Sequence, residues 1–156
     1  MLDITIVAIG KLKESHFQTA FSEYAKRLSA FTRLKIVELP AAPFSRGNQE
    51  KAKKLEGERL RNFLEKETTK NNHPAVYLLT ERGKKFTSPE MAAWFSKNPV
   101  LILAVGGALG FDSELYERYP QISLSPLTFP HELARVVLIE QLYRAMTIIN
   151  SKDYHY

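Results

Sequence analysis

Apolar positions along the chain follow two rhythms in alternation, one of strands and one of helices. Ile4 to Ile9 is a β-branched apolar run broken by Gly10, which predicts a buried strand. Phe17, Phe21, Tyr24, Leu28 and Phe31 then recur at spacings of three and four, the period of a helix, with Ser15 and Gln18 placed as a capping box. Leu34 to Leu39 predicts a second strand ended by Pro40, and Pro40 to Asn48 a loop. From about Gln49 to Glu67 a charged helix carries the apolar stripe Ala52, Leu55, Leu60, Phe63 and Leu64. Ala75 to Thr80 is a third strand. Ser88-Pro89 opens a helix, with Ser88 as cap and Pro89 at its first position, that ends near Asn98-Pro99.

Val100 to Val105 is apolar on both faces, the mark of a central strand. Asp112 caps a short helix that stops before Pro120, and Ile122 to Leu124 is a short strand. After the loop Ser125–Pro130, a last helix runs from Pro130 to about Asn150, and residues 151–156 form a tail. Strict β–α alternation without repeats predicts one α/β domain over residues 1–156, its sheet mostly parallel and its helices on both faces.

Composition narrows the function classes. The 156 residues include no cysteine, so disulfides, thiolate metal sites and a cysteine nucleophile are excluded. His16, His73, His131 and His155 are scattered, with no pair at the i, i+4 spacing of a helical zinc site, so no metal is expected. No apolar run approaches the roughly 20 residues that span a bilayer, and the first residues carry an acid where a signal peptide needs base. A cytoplasmic protein without membrane contact is expected. The net charge of +5 is unevenly spread: residues 1–99 hold 18 bases and 11 acids, residues 100–156 hold 4 and 6. A basic front of this kind suits a polyanionic partner.

Three segments carry candidate chemistry. Gly106-Gly107-Ala108-Leu109-Gly110 directly follows the most buried strand, where ligands of open α/β sheets bind. It matches neither a dinucleotide fingerprint nor a phosphate-binding Gly-Lys-Ser/Thr loop, and a tight strand-to-helix turn would use the same glycines. Leu124-Ser125-Pro126-Leu127-Thr128-Phe129-Pro130 is an apolar loop pinned by two prolines, suited to a flat apolar ligand such as an adenine or to plain packing. The last helix presents a broad apolar face (Leu138, Ile139, Leu142, Tyr143, Met146) fit for core and for a homodimer surface, with Arg135 and Glu140 interrupting it. Its tail ends Tyr154-His155-Tyr156, unusually aromatic for a frayed end.

Together these residues resemble the small SPOUT-class (α/β-knot) methyltransferases over the whole chain. The resemblance rests on Ile6-Val7-Ala8-Ile9-Gly10-Lys11, Lys54-Leu55-Glu56-Gly57, Gly83-Lys84 and the Gly106–Gly110 loop. It rests above all on Leu127-Thr128-Phe129-Pro130-His131, Arg135–Ala145 and Tyr154-His155. It implies a carboxyl-terminal trefoil knot, a homodimer built by the last helix, and S-adenosyl-L-methionine bound by Leu79, Gly106, Leu124, Ser125, Pro126, Leu127, Thr128 and Phe129. The implied activity is methylation of N3 of a pseudouridine in 23S ribosomal RNA, with the assembled ribosome as partner; because the sulfonium methyl is already a strong electrophile, no metal is called for. Catalytic candidates at the mouth of the knot are His155 as general base, Tyr154, His131, and Arg135 steadying charge on the base's carbonyl oxygens. Alternatives are a sister enzyme acting on tRNA, against which stands the lack of an added RNA-binding domain, and a non-enzymatic RNA-binding module, against which stand the intact loops. Two positions depart from the pattern: Tyr156 stands where a basic residue is usual, and Phe111 where an aliphatic one is.

Overall fold

Five strands and five helices alternate in the computed structural model, which describes residues 1–156: β1 (Leu2–Ile9), α1 (Ser15–Leu28), β2 (Thr32–Leu39), α2 (Gln49–Thr68), β3 (Ala75–Lys85), α3 (Ser88–Ser96), β4 (Val100–Val105), α4 (Ser113–Arg118), β5 (Gln121–Ser123) and α5 (His131–Ile149). The strands form one sheet in the order β2-β1-β4-β3-β5, and every pair is parallel. The α/β expectation holds. None of the helices is long and apolar enough to cross a membrane.

Alternation along each strand divides the core in two. Ile4, Ile6 and Ala8 of β1 and Leu101, Leu103 and Val105 of β4 face α1, α3 and α5, where Phe21, Phe95, Leu138 and Leu142 close over them. Val7 and Ile9 with Ile102 and Ala104 face the other way, toward Leu60 and Leu64 of α2 and Leu115 of α4. β4 is buried from Leu101 to Val105 and has neighbours on both edges, as its unbroken apolar run implies.

Several elements differ from the sequence expectation. β3 continues to Lys85, because Gly83 lets the backbone lie against β5: an added Cβ would come within 2.6 Å of the Gln121 carbonyl carbon and closer still to Ile122. Pairing with Ile122 passes from Leu79 to Lys84, so the residues between bulge out of the ladder. The Ser15–Gln18 capping box is absent. The helix already includes Ser15, and the Gln18 amide donates to the Leu12 carbonyl at 2.6 Å. α3 is capped one residue early, by Thr87, whose hydroxyl accepts from the Glu90 amide while the Glu90 carboxylate accepts from the Thr87 amide.

On α2 the buried face is Ala52, Glu56, Leu60 and Leu64, and Leu55 is turned out, 41% exposed. Glu56 takes the inward position because its carboxylate accepts the Ala42 amide at 3.0 Å and so fastens the loop after β2. Asp112 caps α4 as expected, accepting from the Leu115 amide at 3.0 Å, and its other oxygen meets Arg61 of α2 at 2.5 Å. Phe111 is buried among α2 and α4 residues.

Candidate active site at the carboxyl edge of the sheet

β3 and β4 run side by side, and beside Leu79 and Val105 the loop after β4 and the loop after β5 bound a cavity of about 750 Å³. That is within the few hundred to a thousand Å³ of small-ligand sites, at the edge where open parallel sheets bind ligands. Leu79 and Val105 floor it. Gly106 to Phe111 forms one wall, and Leu124, Ser125 and Leu127 to Pro130 form another. His131 and Ala134 of α5 complete it, with Lys53, Thr80 to Arg82 and Tyr116 at the rim.

Each wall has a local cause. Gly110 sits at φ +73°, open to glycine, and its amide donates to the Gly107 carbonyl at 3.1 Å, so the loop closes on itself. Gly107 is confined: an added Cβ would stand 3.1 Å from Ile9 Cγ2. The opposite loop is shaped by serines. The Ser123 hydroxyl donates to the Ser125 carbonyl at 2.7 Å, and the Ser125 hydroxyl accepts from the Leu127 amide at 3.1 Å. Leu127 lines the cavity yet is 68% exposed, so this wall offers apolar surface that an apolar ligand would cover.

The residues singled out in the sequence divide into two groups. Leu79, Gly106, Leu124, Ser125, Leu127, Thr128, Phe129 and His131 all line the cavity; Pro126 does not, standing exposed on the outer side of its loop. Arg135, Tyr154 and His155 are not brought to its wall. Arg135 is 2% exposed and its two terminal nitrogens are engaged elsewhere, Nε alone being buried without a partner: Nη2 donates to the carbonyls of Ile9 at 2.9 Å and Gly10 at 2.7 Å, and Nη1 to Glu38 at 2.8 Å. Its ion pair is with Glu38, not with the helical acids Glu132 or Glu140.

The tail is ordered by the way α5 ends. Ser151 takes a left-handed φ of +50°, its amide donates to Ile148 and that of Lys152 to Thr147, the pattern of a Schellman turn. The chain folds back along α5. Tyr154 stacks edge-on against Tyr143 with ring centres 4.7 Å apart and donates to Glu140 at 3.0 Å. Arg144 lies over its ring at 4.8 Å and reaches Glu140 and the His155 ring, the latter at 3.5 Å. Burial, then hydrogen bonding to Tyr24 and Glu140, pushes the Tyr154 phenol well above the usual tyrosine range, so it remains a proton donor. Glu140 stands nine residues beyond His131, about 14 Å along the helix at roughly 1.5 Å per residue, so the tail lies away from the cavity of its own chain.

Sequence reasoning passed over Thr80, Glu81, Arg82, Tyr116 and Ala134, which line the cavity. Thr80 to Arg82 carried a usable signal, since they directly follow an apolar strand. Lys53 reads from the sequence as one of the cations of a basic surface, with Lys51 and Lys54, and the structure sets it at the cavity.

Comparison with known proteins agrees over the full length. Residues 2–155 match the family described as "Predicted SPOUT methyltransferase". The chain is 39% identical to a protein of Pelotomaculum thermopropionicum over all of both chains. It is 41% identical to one of Desulfitobacterium hafniense over 99% of each chain, and 40% identical to one of Gloeobacter violaceus over 98% of each. All three bear the name "Ribosomal RNA large subunit methyltransferase H".

Proposed function

From the premise that the chain belongs to the SPOUT methyltransferase family, we propose that it methylates N3 of a pseudouridine in large-subunit (23S) ribosomal RNA, with S-adenosyl-L-methionine as donor and the assembled ribosome as substrate. The observation that carries this reading is the cavity itself. Its two loops, the glycine-rich one after β4 and the apolar one after β5, are those the sequence resemblance assigns to the donor, and both face the cavity beside Leu79 and Val105.

The residues fit such a ligand. Gly106 and Gly107 allow close backbone approach, and Leu79, Leu127 and Phe129 supply apolar surface for an adenine. S-adenosyl-L-methionine would supply an electrophilic methyl. The protein must then bring the acceptor nitrogen to about 3 Å and help it lose its proton. His131 is on the cavity wall. Tyr154 and His155 are about 14 Å along α5 from it, which favours a homodimer in which the tail of one protomer serves the cavity of the other. In that arrangement the exposed His155 accepts the imide proton, and Tyr154, held protonated and bonded to Glu140, fixes the tail that carries it.

The rim supports the nucleic-acid partner. Lys53 and Arg82 face the cavity, and Lys51, Lys54, Lys84 and Lys85 stand exposed nearby in sequence. Cations that neutralise phosphates make affinity fall steeply with salt.

The test is methyl transfer measured on tRNA and on free rRNA, isolated subunits and assembled ribosomes, the last three each with and without pseudouridine at the acceptor position. Transfer confined to ribosomes that carry pseudouridine is expected. Equal transfer to tRNA, or none to any of these, overturns the reading.

A further inference from the structure

Arg135 and Glu38 are drawn into one device by what else they touch. Arg135 donates to the Ile9 and Gly10 carbonyls, and the side chain of the same Ile9 presses on Gly107. The glycine wall of the cavity is therefore seated on β1 through Ile9. The α5 wall, with His131 one turn before Arg135, is seated on the same point through the guanidinium. Glu38 of β2 completes the joint: one oxygen accepts from Arg135 at 2.8 Å and from the Leu12 amide at 3.2 Å. Glu132, next to His131, accepts from the amides of Lys13 and Glu14 at 2.6 and 3.1 Å, fixing the same turn to the loop before α1.

We propose that Arg135 and Glu38 are positioning residues for methyl transfer: the pair sets the distance between the glycine wall and His131 by referring both to the end of β1. The inference rests on the methyltransferase reading above. A planar guanidinium is needed because two carbonyls and a carboxylate are met at once, and a lysine ammonium cannot present that fork. Misplacement of reacting groups by an ångström costs on the order of 10²-fold in rate, so a joint of this kind is felt in turnover before it is felt in affinity.

Arg135→Lys and Glu38→Gln in the full-length protein test it, with Leu28→Ala as a control that cuts a buried side chain at the far end of α1. Turnover at saturating donor and ribosome, KM for each, and the melting temperature are measured well below melting. Arg135→Lys is expected to lose 10- to 100-fold in kcat with both KM values within about threefold. Glu38→Gln, which keeps an acceptor without charge, is expected to lose a smaller factor, and Leu28→Ala to lose stability while keeping kcat. If Arg135→Lys or Glu38→Gln melts lower but turns over like wild type, the pair is merely structural and the proposal falls. Should Arg135→Lys fail to fold, Glu38→Gln alone decides. If the wild-type protein transfers no methyl to ribosomes, it is the underlying reading that fails.

Discussion

The first and last turns of α5 are secured by different means. The first turn is tied to distant main chain: Arg135 to Ile9 and Gly10, Glu132 to Lys13 and Glu14. The last turn is finished by its own Schellman turn, after which aromatic stacking lays Tyr154 back on Tyr143. One end is part of the sheet's framework, so damage there should be felt in stability and, through the cavity walls it seats, in turnover. The other is an appendage held about 14 Å along the helix from His131, so damage there should be felt in turnover.

The strongest way to break this contrast is to delete residues 154–156. Methyl transfer should fall by about 10²-fold or more, the scale of a lost acid–base group. The melting temperature should drop only a few degrees, since one aromatic pair is worth about 0.5–1.5 kcal/mol beyond its buried area. Full activity after deletion would return the proton transfer to His131 and erase the distinction between the ends.

At the cavity end, S-adenosylhomocysteine at a hundredfold over its dissociation constant should stabilise the protein by about 2.7 kcal/mol, on the order of 5–10 °C. Gly107→Val should remove that shift. Its branched side chain would collide with Ile9, already 3.1 Å from a first carbon, and push the loop into the ligand's space. A normal shift in this variant would show that the glycine wall is free to move.

A smaller effect sharpens the comparison from the other side. Ser151 carries a left-handed backbone that glycine adopts without strain. Ser151→Gly should raise stability by about 1 kcal/mol, or roughly 2–4 °C, without changing turnover. A loss of stability would mean that the tail depends on the serine side chain.

The smallest effect is one of pH. Burial alone would raise the Glu132 carboxyl, but the amides of Glu14 and Lys13 more than offset it and hold the group below the usual glutamate range. Its folded-state pKa is depressed, so its contribution is present above the unfolded value of about 4.3 and is lost as pH falls through the lower folded one. Thermal melts from pH 7 down to pH 3 should show a slightly shallower acid loss in Glu132→Gln than in wild type. Identical slopes would mean that the carboxylate does not hold the first turn.

The elements of this fold were legible because each strand buries β-branched residues and each helix keeps a three-four spacing, both local properties. The cavity loops were legible for the same reason, since glycines after a buried strand and an apolar loop between prolines are local oddities. What escaped depends on chain far away. Arg135 read as a catalytic cation because its acceptors lie up to 126 residues earlier. Leu55 read as core because the pattern could not tell that Glu56 would turn inward to meet Ala42. The reach of β3 past Thr80 depends on Gly83 lying against Ile122, an approach with no signature but the glycine itself.

The order of strands in the sheet has a consequence for how the chain is made. β1 leaves the ribosome first, yet its second neighbour is β4, whose pairing begins with Asp3 opposite Val100. At about 5–20 residues per second, one edge of an apolar strand waits for several seconds or more without a partner. The joint that closes the structure comes later still, when Arg135 reaches back to Ile9. Long-range parallel pairing is slow in any case. Folding therefore commits only after β4 and α5 have been made, and nascent chains stopped before residue 100 will expose Ile4, Ile6 and Ala8 and present an unpaired edge to chaperones or to one another.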